Sequence, residues 1–212
     1  MNSLFVSGIG TEVGKTVVSA ILVEALKADY FKPIQAGDLE HSDTAKVQSL
    51  ISNRHSVFHK NSYALKTPMS PHAAAEIDGT QIDLKNIKRP KTKNHLVIEG
   101  AGGLLVPIND SQTIADLIQP TDLVIVVSRH YLGSINHTLL SLNYLKEKGV
   151  NAGIVFNGNE HPSTEEIIKK MTGIEVLGRI EDEPYFDKNV IKEYAERWRG
   201  RLERLMENHS PK

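Results

Sequence analysis

The chain has 212 residues, a nearly balanced charge of 25 Lys and Arg against 26 Asp and Glu, and no cysteine. The balanced charge gives no reason to expect nucleic acid or an anionic membrane as a partner. The lack of cysteine excludes disulfides, thiolate metal sites and a cysteine nucleophile. No apolar run approaches the ~20 residues of a membrane span, and no signal peptide is evident. We therefore expect a soluble cytoplasmic protein with one domain over residues 1–212.

Short apolar runs alternate with helical patterns along the chain. The runs end at glycine or a polar residue and occupy residues 4–8, 30–34, 95–100, 122–128, 153–158 and 175–180. Near-continuous Val, Ile and Leu is typical of parallel strands that helices cover on both faces. The alternation therefore predicts a doubly wound α/β fold with a mainly parallel sheet.

Apolar spacing predicts helices over residues 15–27, 134–148 and 163–171. Ser163 is followed three residues later by Glu166, as in a capping box. This pair predicts that the third helix begins after Ser163.

Three other segments need separate interpretation. Residues 53–94 contain Thr-Pro, Ser-Pro and Asp-Gly turn signals, which predict loops and one or two short helices beside the candidate site. The basic stretch 85–93 is predicted as a solvated face, with an RNA-binding patch as the alternative. Residues 187–206 have apolar side chains at helical spacing and charges of both signs. That pattern favours packing on the domain over lying on a membrane.

Residues 8–16, GIGTEVGKT, separate the first strand from the first helix. Glycines let a backbone turn tightly and point its N–H groups at phosphate oxygens, while the helix N-terminus attracts the same anion. Lys15 would contact the β- and γ-phosphates, and the Thr16 hydroxyl suits Mg²⁺. The usual spacing places a glycine at position 9, where this chain has Ile9. The segment predicts a phosphate loop, with an ordinary strand–helix turn as the alternative.

A nucleotide site of this kind also needs a carboxylate near the metal at the end of a buried strand. Glu99 fits, because it closes an apolar strand and precedes glycines. Asp43, in the polar segment His-Ser-Asp-Thr, is a second candidate. Taken alone, Asp43 is predicted as a helix N-cap rather than a metal ligand.

Six segments together carry a family resemblance. They are the phosphate loop, Lys32-Pro33, Ser42-Asp43, TPMSPH at 67–72, EGAGG at 99–103 and LGSINH at 132–137. In this order they resemble the dethiobiotin synthetases, over residues 3–180. The phosphate loop of that family, GTDTEVGKT, has the same additional residue. The resemblance implies a P-loop NTPase-like, doubly wound fold in a single domain.

The resemblance also implies a reaction. Enzymes of this family join 7,8-diaminopelargonate, CO₂ and ATP into dethiobiotin, ADP and phosphate, with Mg²⁺ bound to the nucleotide. One substrate amine is carboxylated to a carbamate, whose oxygen attacks the γ-phosphate to give a carbamic-phosphoric anhydride. The second amine then closes the ring by displacing phosphate. A homodimer with its active site at the subunit interface is expected.

Site roles follow from the matching positions. The implied catalytic residues are Thr11, Lys15 and Lys32, since a lysine can bridge carbamate and phosphate as a point charge. The implied Mg²⁺ ligands are Thr16, Asp43 and Glu99. Nucleotide binding is implied for Glu12, Val13, Gly14, Lys15, Thr16, Val17, Asp43, Glu99, Gly100, Ala101, Gly102 and the adenine-reading Asn157. Substrate binding is implied for Thr11, Lys15, Lys32, Ala36, Gly133, Ser134 and Asn136.

Ala36 and the turn Gly133–Asn136 need separate comment within the implied substrate site. Ala36 stands where the family usually has a serine or threonine that contacts the substrate, so one hydrogen bond is expected to be missing. The turn from Gly133 to Asn136 begins a helix. In the dimer, the N–H groups of this turn in the partner subunit would bind the carboxylate of the substrate.

Other functions remain open from the residues alone. A dimeric ATPase switch of the partition and division-site type has the same fold, but it carries an additional lysine near the start of the phosphate loop, where positions 9–11 here are Ile, Gly and Thr. An amidotransferase-type synthetase would need a glutaminase domain with a cysteine. Lys32 alone would suit a solvated lysine. His72 and His137 would suit metal ligands or, more simply, capped or packed histidines.

Overall fold

The computed structural model describes residues 3–208, and its strands lie close to the apolar runs of the sequence. The strands are β1 Ser3–Gly8, β2 Asp29–Phe31, β3 Ile34–Ala36, β4 Phe58–His59, β5 Tyr63–Leu65, β6 Leu96–Gly103, β7 Leu123–Arg129, β8 Ala152–Asn157 and β9 Glu175–Ile180. The helices are α1 Lys15–Leu26, α2 Asp43–Leu50, α3 Pro71–Ile77, α4 Ser134–Glu147, α5 Pro162–Thr172 and α6 Lys188–Asn208, with 3₁₀ turns at Leu84–Asn86 and Ile114–Leu117.

Seven strands form one sheet in the order β4-β2-β6-β1-β7-β8-β9, and its neighbouring strands are parallel. The chain leaves β1 in one direction to form β2 and β4, returns through β6, and then continues to β7 on the other side. Ligands of such folds bind at the carboxyl ends of the strands, where the strand order reverses. The predicted doubly wound α/β fold is confirmed.

Helices cover both faces of this sheet. Alternate residues of β1 point to opposite sides, so Leu4 and Val6 enter a core beneath α1, α2 and α6, and Phe5 enters a core beneath α3, α4 and α5. The buried strands therefore need the continuous apolar sequence that predicted them.

The predicted C-terminal helix packs on the domain, as the mixed charges indicated. Its apolar residues are buried, and Trp198 is 2% exposed. A Cβ on Gly178 of β9 would lie 2.3 Å from Trp198 Nε1, so the absence of a side chain there admits the indole. Within residues 3–208, no helix is long and apolar enough to cross a membrane.

Three local predictions were wrong. The run at 30–34 is not one strand, because Pro33 lacks an N–H and separates β2 from β3, which pairs with β5 in a second sheet. Residues 53–94 contain β4 and β5 as well as the predicted short helix. The helix predicted to begin after Ser163 begins at Pro162, whose fixed φ suits a first helical turn.

Candidate active site

The phosphate loop joins β1 to α1 at the carboxyl end of the sheet. Gly14 has φ 99°, a left-handed backbone that favours glycine, and it directly precedes α1. A Cβ on Gly8 would lie 2.4 Å from Val13 Cγ2, so this tight turn also requires glycine at position 8. Lys15 Nζ donates to the Gly10 carbonyl at 2.7 Å. The ammonium is thus held inside the loop, where phosphate oxygens would meet it.

Three oxygen-bearing side chains meet beside this loop, from α1, α2 and β6. Thr16 Oγ1 lies 3.0 Å from Asp43 Oδ1 and 3.2 Å from Glu99 Oε1. The prediction that Asp43 caps a helix is wrong, because Ser42 is the N-cap and its hydroxyl accepts from the Ala45 N–H. Asp43 is the first residue inside α2, and its carboxylate faces Thr16.

Lys32 follows β2 and lies between the two carboxylates. Its Nζ is 2.8 Å from Asp43 Oδ2 and 3.0 Å from Glu99 Oε1, and it donates to the Gly100 carbonyl at 3.0 Å. Burial alone would lower the pKa of Lys32, but Glu99 and Asp43 outweigh it and raise that pKa above its ordinary value. Burial, and then the charge of Lys32, lowers the pKa of Lys15 to about 8. Lys32 is therefore a buried cation and not the solvated lysine that its sequence position alone would suit.

Tyr30 is a member of this cluster that the sequence analysis missed. Its hydroxyl donates to Glu99 Oε2 at 2.9 Å, and the residue is fully buried. Burial and the Glu99 carboxylate raise the pKa of Tyr30 well above its ordinary value, so the phenol keeps its proton and acts as a donor. The sequence offered no local signal for this contact, because it depends on the pairing of β2 with β6.

The donor set fits a magnesium ion. Thr16, Asp43 and Glu99 offer hydroxyl and carboxylate oxygens, the hard ligands that Mg²⁺ prefers together with phosphate and water. Burial opposes ionisation of Asp43, but Lys32 and the Thr16 hydroxyl outweigh it and lower the pKa of the Asp43 carboxyl. The Asp43 carboxylate is therefore available as an anion. Lys32 between Asp43 and Glu99 shows that this position already accommodates a cation.

A cavity of about 740 Å³ opens onto the cluster. Pro68–Pro71 form part of its wall, so residues 53–94 do border the site, as the turn signals predicted. Ala36 also lines it. The other predicted site residues that line the cavity are Thr11, Glu12, Gly14, Lys15, Thr16, Val17, Lys32, Asp43, Glu99, Ala101 and Gly102.

Sequence comparison identifies the family to which this site belongs. Residues 2–190 match the family described as an AAA domain. The ATP-dependent dethiobiotin synthetase BioD of Christiangramia forsetii is 68% identical over 201 residues, covering 94% of this chain and 97% of the relative. The same enzyme of Cytophaga hutchinsonii is 50% identical over 198 residues, covering 92% of this chain and 96% of the relative.

The chain belongs to the dethiobiotin synthetase family. Proteins of this name are ATP-dependent ligases of biotin biosynthesis that form C–N bonds, and the resemblance read from the six sequence segments is confirmed.

Solved structures of lower identity have the same fold. The cell division ATPase MinD of Pyrococcus furiosus has a TM-score of 0.58 at 14% identity, covering 97% of this chain and 100% of that chain. A putative plasmid partition protein of Borrelia burgdorferi, bound to AMPPNP, has a TM-score of 0.56 at 9% identity, covering 98% of this chain and 99% of that one. These likenesses confirm a P-loop NTPase fold. At such low identity they show the fold alone. The dethiobiotin synthetases, at 68% and 50% identity, are the relatives that indicate the family.

Asn157 lies on the other side of the phosphate loop from Lys32. Its Nδ2 donates to the Val13 carbonyl at 2.8 Å, so this predicted adenine-reading side chain also supports the loop. Three predicted nucleotide-binding residues, Val13, Gly100 and Asn157, do not line the cavity. Gly100 is still linked to the site, because its carbonyl accepts a hydrogen bond from Lys32.

The predicted carboxylate-binding turn lies apart from the cavity. Gly133 has φ 101° and precedes α4, whose first residue, Ser134, is buried. Gly133, Ser134 and Asn136 are not among the residues that line the cavity with Lys32. The structure of one chain therefore does not bring this group to the rest of the predicted site.

The histidines of the family segments have ordinary partners. His72 Nδ1 is 3.2 Å from Ser70 Oγ, and His137 Nδ1 is 2.7 Å from Tyr131 Oη. Over residues 3–208, no group of three or more His, Cys, Asp or Glu side chains is arranged to hold a metal ion. These observations give no support to the metal-ligand alternative for the two histidines.

Proposed function

We propose that this chain joins 7,8-diaminopelargonate and CO₂, with Mg²⁺ and ATP, into dethiobiotin, ADP and phosphate. The observation that carries the proposal is the position of Lys32. A buried ammonium lies at the edge of a cavity that Lys15 and Thr11 of the phosphate loop also line. Two anions, a carbamate and a triphosphate, must approach each other in this reaction, and positive charge between them favours that approach.

The proposed chemistry needs no enzyme nucleophile. One amine of the substrate adds to CO₂ and loses a proton, giving a carbamate. A carbamate oxygen attacks the γ-phosphorus, the bond to the bridging oxygen of ADP breaks, and a carbamic-phosphoric anhydride forms. The second amine then attacks the carbonyl carbon, loses a proton and expels phosphate. The protein would accelerate these steps by positioning and by electrostatic stabilisation.

Six of the cavity residues have proposed roles in this scheme. Lys15 would hold the β- and γ-phosphates, Lys32 would bridge carbamate and γ-phosphate, and Thr11 would hydrogen-bond either group. Thr16, Asp43 and Glu99 would hold the Mg²⁺. When bound, Mg²⁺ neutralises charge on the phosphate oxygens.

The remaining residues would bind the nucleotide and orient it. Backbone N–H groups of the phosphate loop suit phosphate oxygens, and Asn157 has an amide oxygen suited to the amino group of adenine. The other residues proposed to contact the nucleotide are those inferred from the sequence: Glu12, Val13, Gly14, Val17, Gly100, Ala101 and Gly102.

We further propose a homodimer, with one synthetase domain over residues 1–212 in each subunit. Support comes from the separation of the turn Gly133–Asn136 from the cavity, because that turn would serve the cavity of a neighbouring subunit. A groove beside α4 has exposed apolar residues, including Leu105 and Leu140, each 61% exposed, as an interface needs. The consumption of ATP is consistent with a location in the cytoplasm.

The deciding experiment is an assay of phosphate release with and without 7,8-diaminopelargonate, in bicarbonate and Mg·ATP. We expect release that depends on the diamine, with dethiobiotin identified by mass spectrometry. Phosphate release that ignores the diamine but responds to DNA or lipid vesicles would overturn the proposal and favour an ATPase switch.

A further inference from the structure

Glu99 is held at both carboxylate oxygens by Tyr30 of β2 and by Lys32, the residue that directly follows β2. Tyr30 and Lys32 are two residues apart, so their side chains start on one face of the sheet. Lys32 Nζ contacts Glu99 Oε1 at 3.0 Å, and the Tyr30 hydroxyl donates to Glu99 Oε2 at 2.9 Å. Thr16 reaches the Oε1 side as well. One oxygen of Glu99 therefore faces the site, and the other faces the interior.

The register of the sheet accounts for this arrangement. Tyr30 pairs with Val97 of β6, and Glu99 lies two residues further along the same face. Two residues of a strand span about 6.6 Å, a distance that the phenol ring crosses as it leans towards the carboxyl end of the sheet. Phe58 of β4 packs on the ring, with centroids 5.8 Å apart. Phe58 lies on the β4 side of the ring, and Glu99 lies on the β6 side.

The two contacts differ in what a ligand does to them. Lys32 and Glu99 line the cavity, so bound Mg·ATP and carbamate would compete there for the ammonium and the carboxylate. Tyr30 is fully buried and does not line the cavity. Its bond to Oε2 would therefore persist if Lys32 turned to the substrate.

We propose that Tyr30 is a positioning residue for the metal, because its hydroxyl fixes Glu99 Oε2 and so presents Oε1 to Mg²⁺. The inference rests on the proposed function, in which Glu99 is a magnesium ligand. Partners that orient a metal-binding carboxylate commonly contribute 10–100-fold to metal affinity. Removal of the hydroxyl would leave Oε2 without its donor and free the carboxylate to rotate.

The test compares Tyr30→Phe with the unaltered protein in a Mn²⁺ titration followed by electron paramagnetic resonance, with AMPPNP present. We expect Mn²⁺ affinity to fall about tenfold, while the affinity for metal-free AMPPNP stays unchanged. Phe58→Leu is the matched control, since it removes apolar contact on the β4 side of the ring and keeps the Tyr30 hydroxyl and its bond to Glu99. It is expected to lower the Tm and leave Mn²⁺ affinity unchanged.

A double-mutant cycle shows whether Tyr30 acts through Glu99. In a Glu99→Gln background, Tyr30→Phe is expected to change Mn²⁺ affinity less than about twofold. An equal loss in both backgrounds, an unchanged Mn²⁺ affinity in Tyr30→Phe, or the same loss in Phe58→Leu would each overturn the inference. If the unaltered protein retains no Mn²⁺ with AMPPNP, the proposed metal site fails as well, so the two failures are distinguishable.

Discussion

Two buried carboxylates, Glu99 and Glu165, lie near the carboxyl ends of strands. Glu99 lines the cavity of about 740 Å³, and Glu165 is not among the residues that line it. Glu99 shares its surroundings with a second carboxylate, a hydroxyl and Lys32. Glu165, near the start of α5, instead accepts bonds from Arg179 at 2.6 Å, the His130 ring at 3.0 Å and the His161 N–H at 3.3 Å. Burial and charge are common to both clusters and so do not identify a catalytic site.

The two clusters differ in whether a ligand could replace the donor to the carboxylate. Arg179 donates to both oxygens of Glu165, so that carboxylate is fully occupied and joins β9 to α5. At Glu99 the charged donor is a lysine beside two hydroxyls, and a lysine is a point charge that a metal ion can replace. We therefore interpret the Glu165 cluster as structural and the Glu99 cluster as functional.

The largest expected effect concerns the two lysines. Lys15→Gln should abolish turnover and weaken nucleotide binding, because it removes the charge on the β- and γ-phosphates. Lys32→Gln should lower kcat by about 10²–10³-fold and leave ATP affinity largely intact. Steady-state kinetics and calorimetric titration with AMPPNP measure both quantities. A near-normal kcat in Lys32→Gln would show that its assigned role is wrong.

Next in size is the stability cost of Glu165→Gln. The substitution keeps the shape of the side chain but weakens charge-assisted bonds to Arg179, so we expect a loss of about 1–3 kcal/mol in the free energy of unfolding. Urea unfolding measures that loss, and kcat of the folded variant should stay unchanged. Normal stability with a reduced kcat would show that the Glu165 cluster is functional and not structural.

The stability difference between the unaltered protein and Glu165→Gln should depend on pH. Burial opposes ionisation of Glu165, but the hydrogen bonds from Arg179 and the His161 N–H outweigh it and hold the pKa of this carboxyl below its ordinary 4.5. A lowered folded-state pKa contributes stability above pH 4.5 that is lost as pH falls through the folded value. The stability difference between the unaltered protein and Glu165→Gln should therefore shrink below pH 4.5. A difference that stays constant down to pH 3 would contradict the ion-pair interpretation.

The smallest expected effect is at Ala36 in the cavity wall. Ala36→Ser restores the hydroxyl that the family usually has, and one neutral hydrogen bond contributes about 1 kcal/mol. We expect the KM for 7,8-diaminopelargonate to fall about fivefold, with the KM for ATP unchanged, in initial-rate assays. No change in either constant would mean that the diamine does not reach Ala36.

The sequence predicted the sheet well because each buried strand requires a continuous apolar run. It missed the division at Pro33, since β3 and β5 are only three residues each and depend on each other for pairing. Lys15, Thr16 and Glu99 were predictable because the phosphate loop and the strand end are local patterns. Tyr30 was not, because its contact with Glu99 follows from the register of β2 against β6, which no local pattern encodes.

Helix α6 has a consequence for the order in which the protein matures. It closes the core over α1, the helix that begins at Lys15, and both helices contribute to the same apolar cluster. During synthesis, the phosphate loop leaves the ribosome long before residues 188–208 do. Until α6 arrives, the apolar residues that α1 packs against it lack part of their cover, and such exposed surface favours aggregation. Helix α1 therefore acquires its final packing only after α6, which is synthesised later, docks on it.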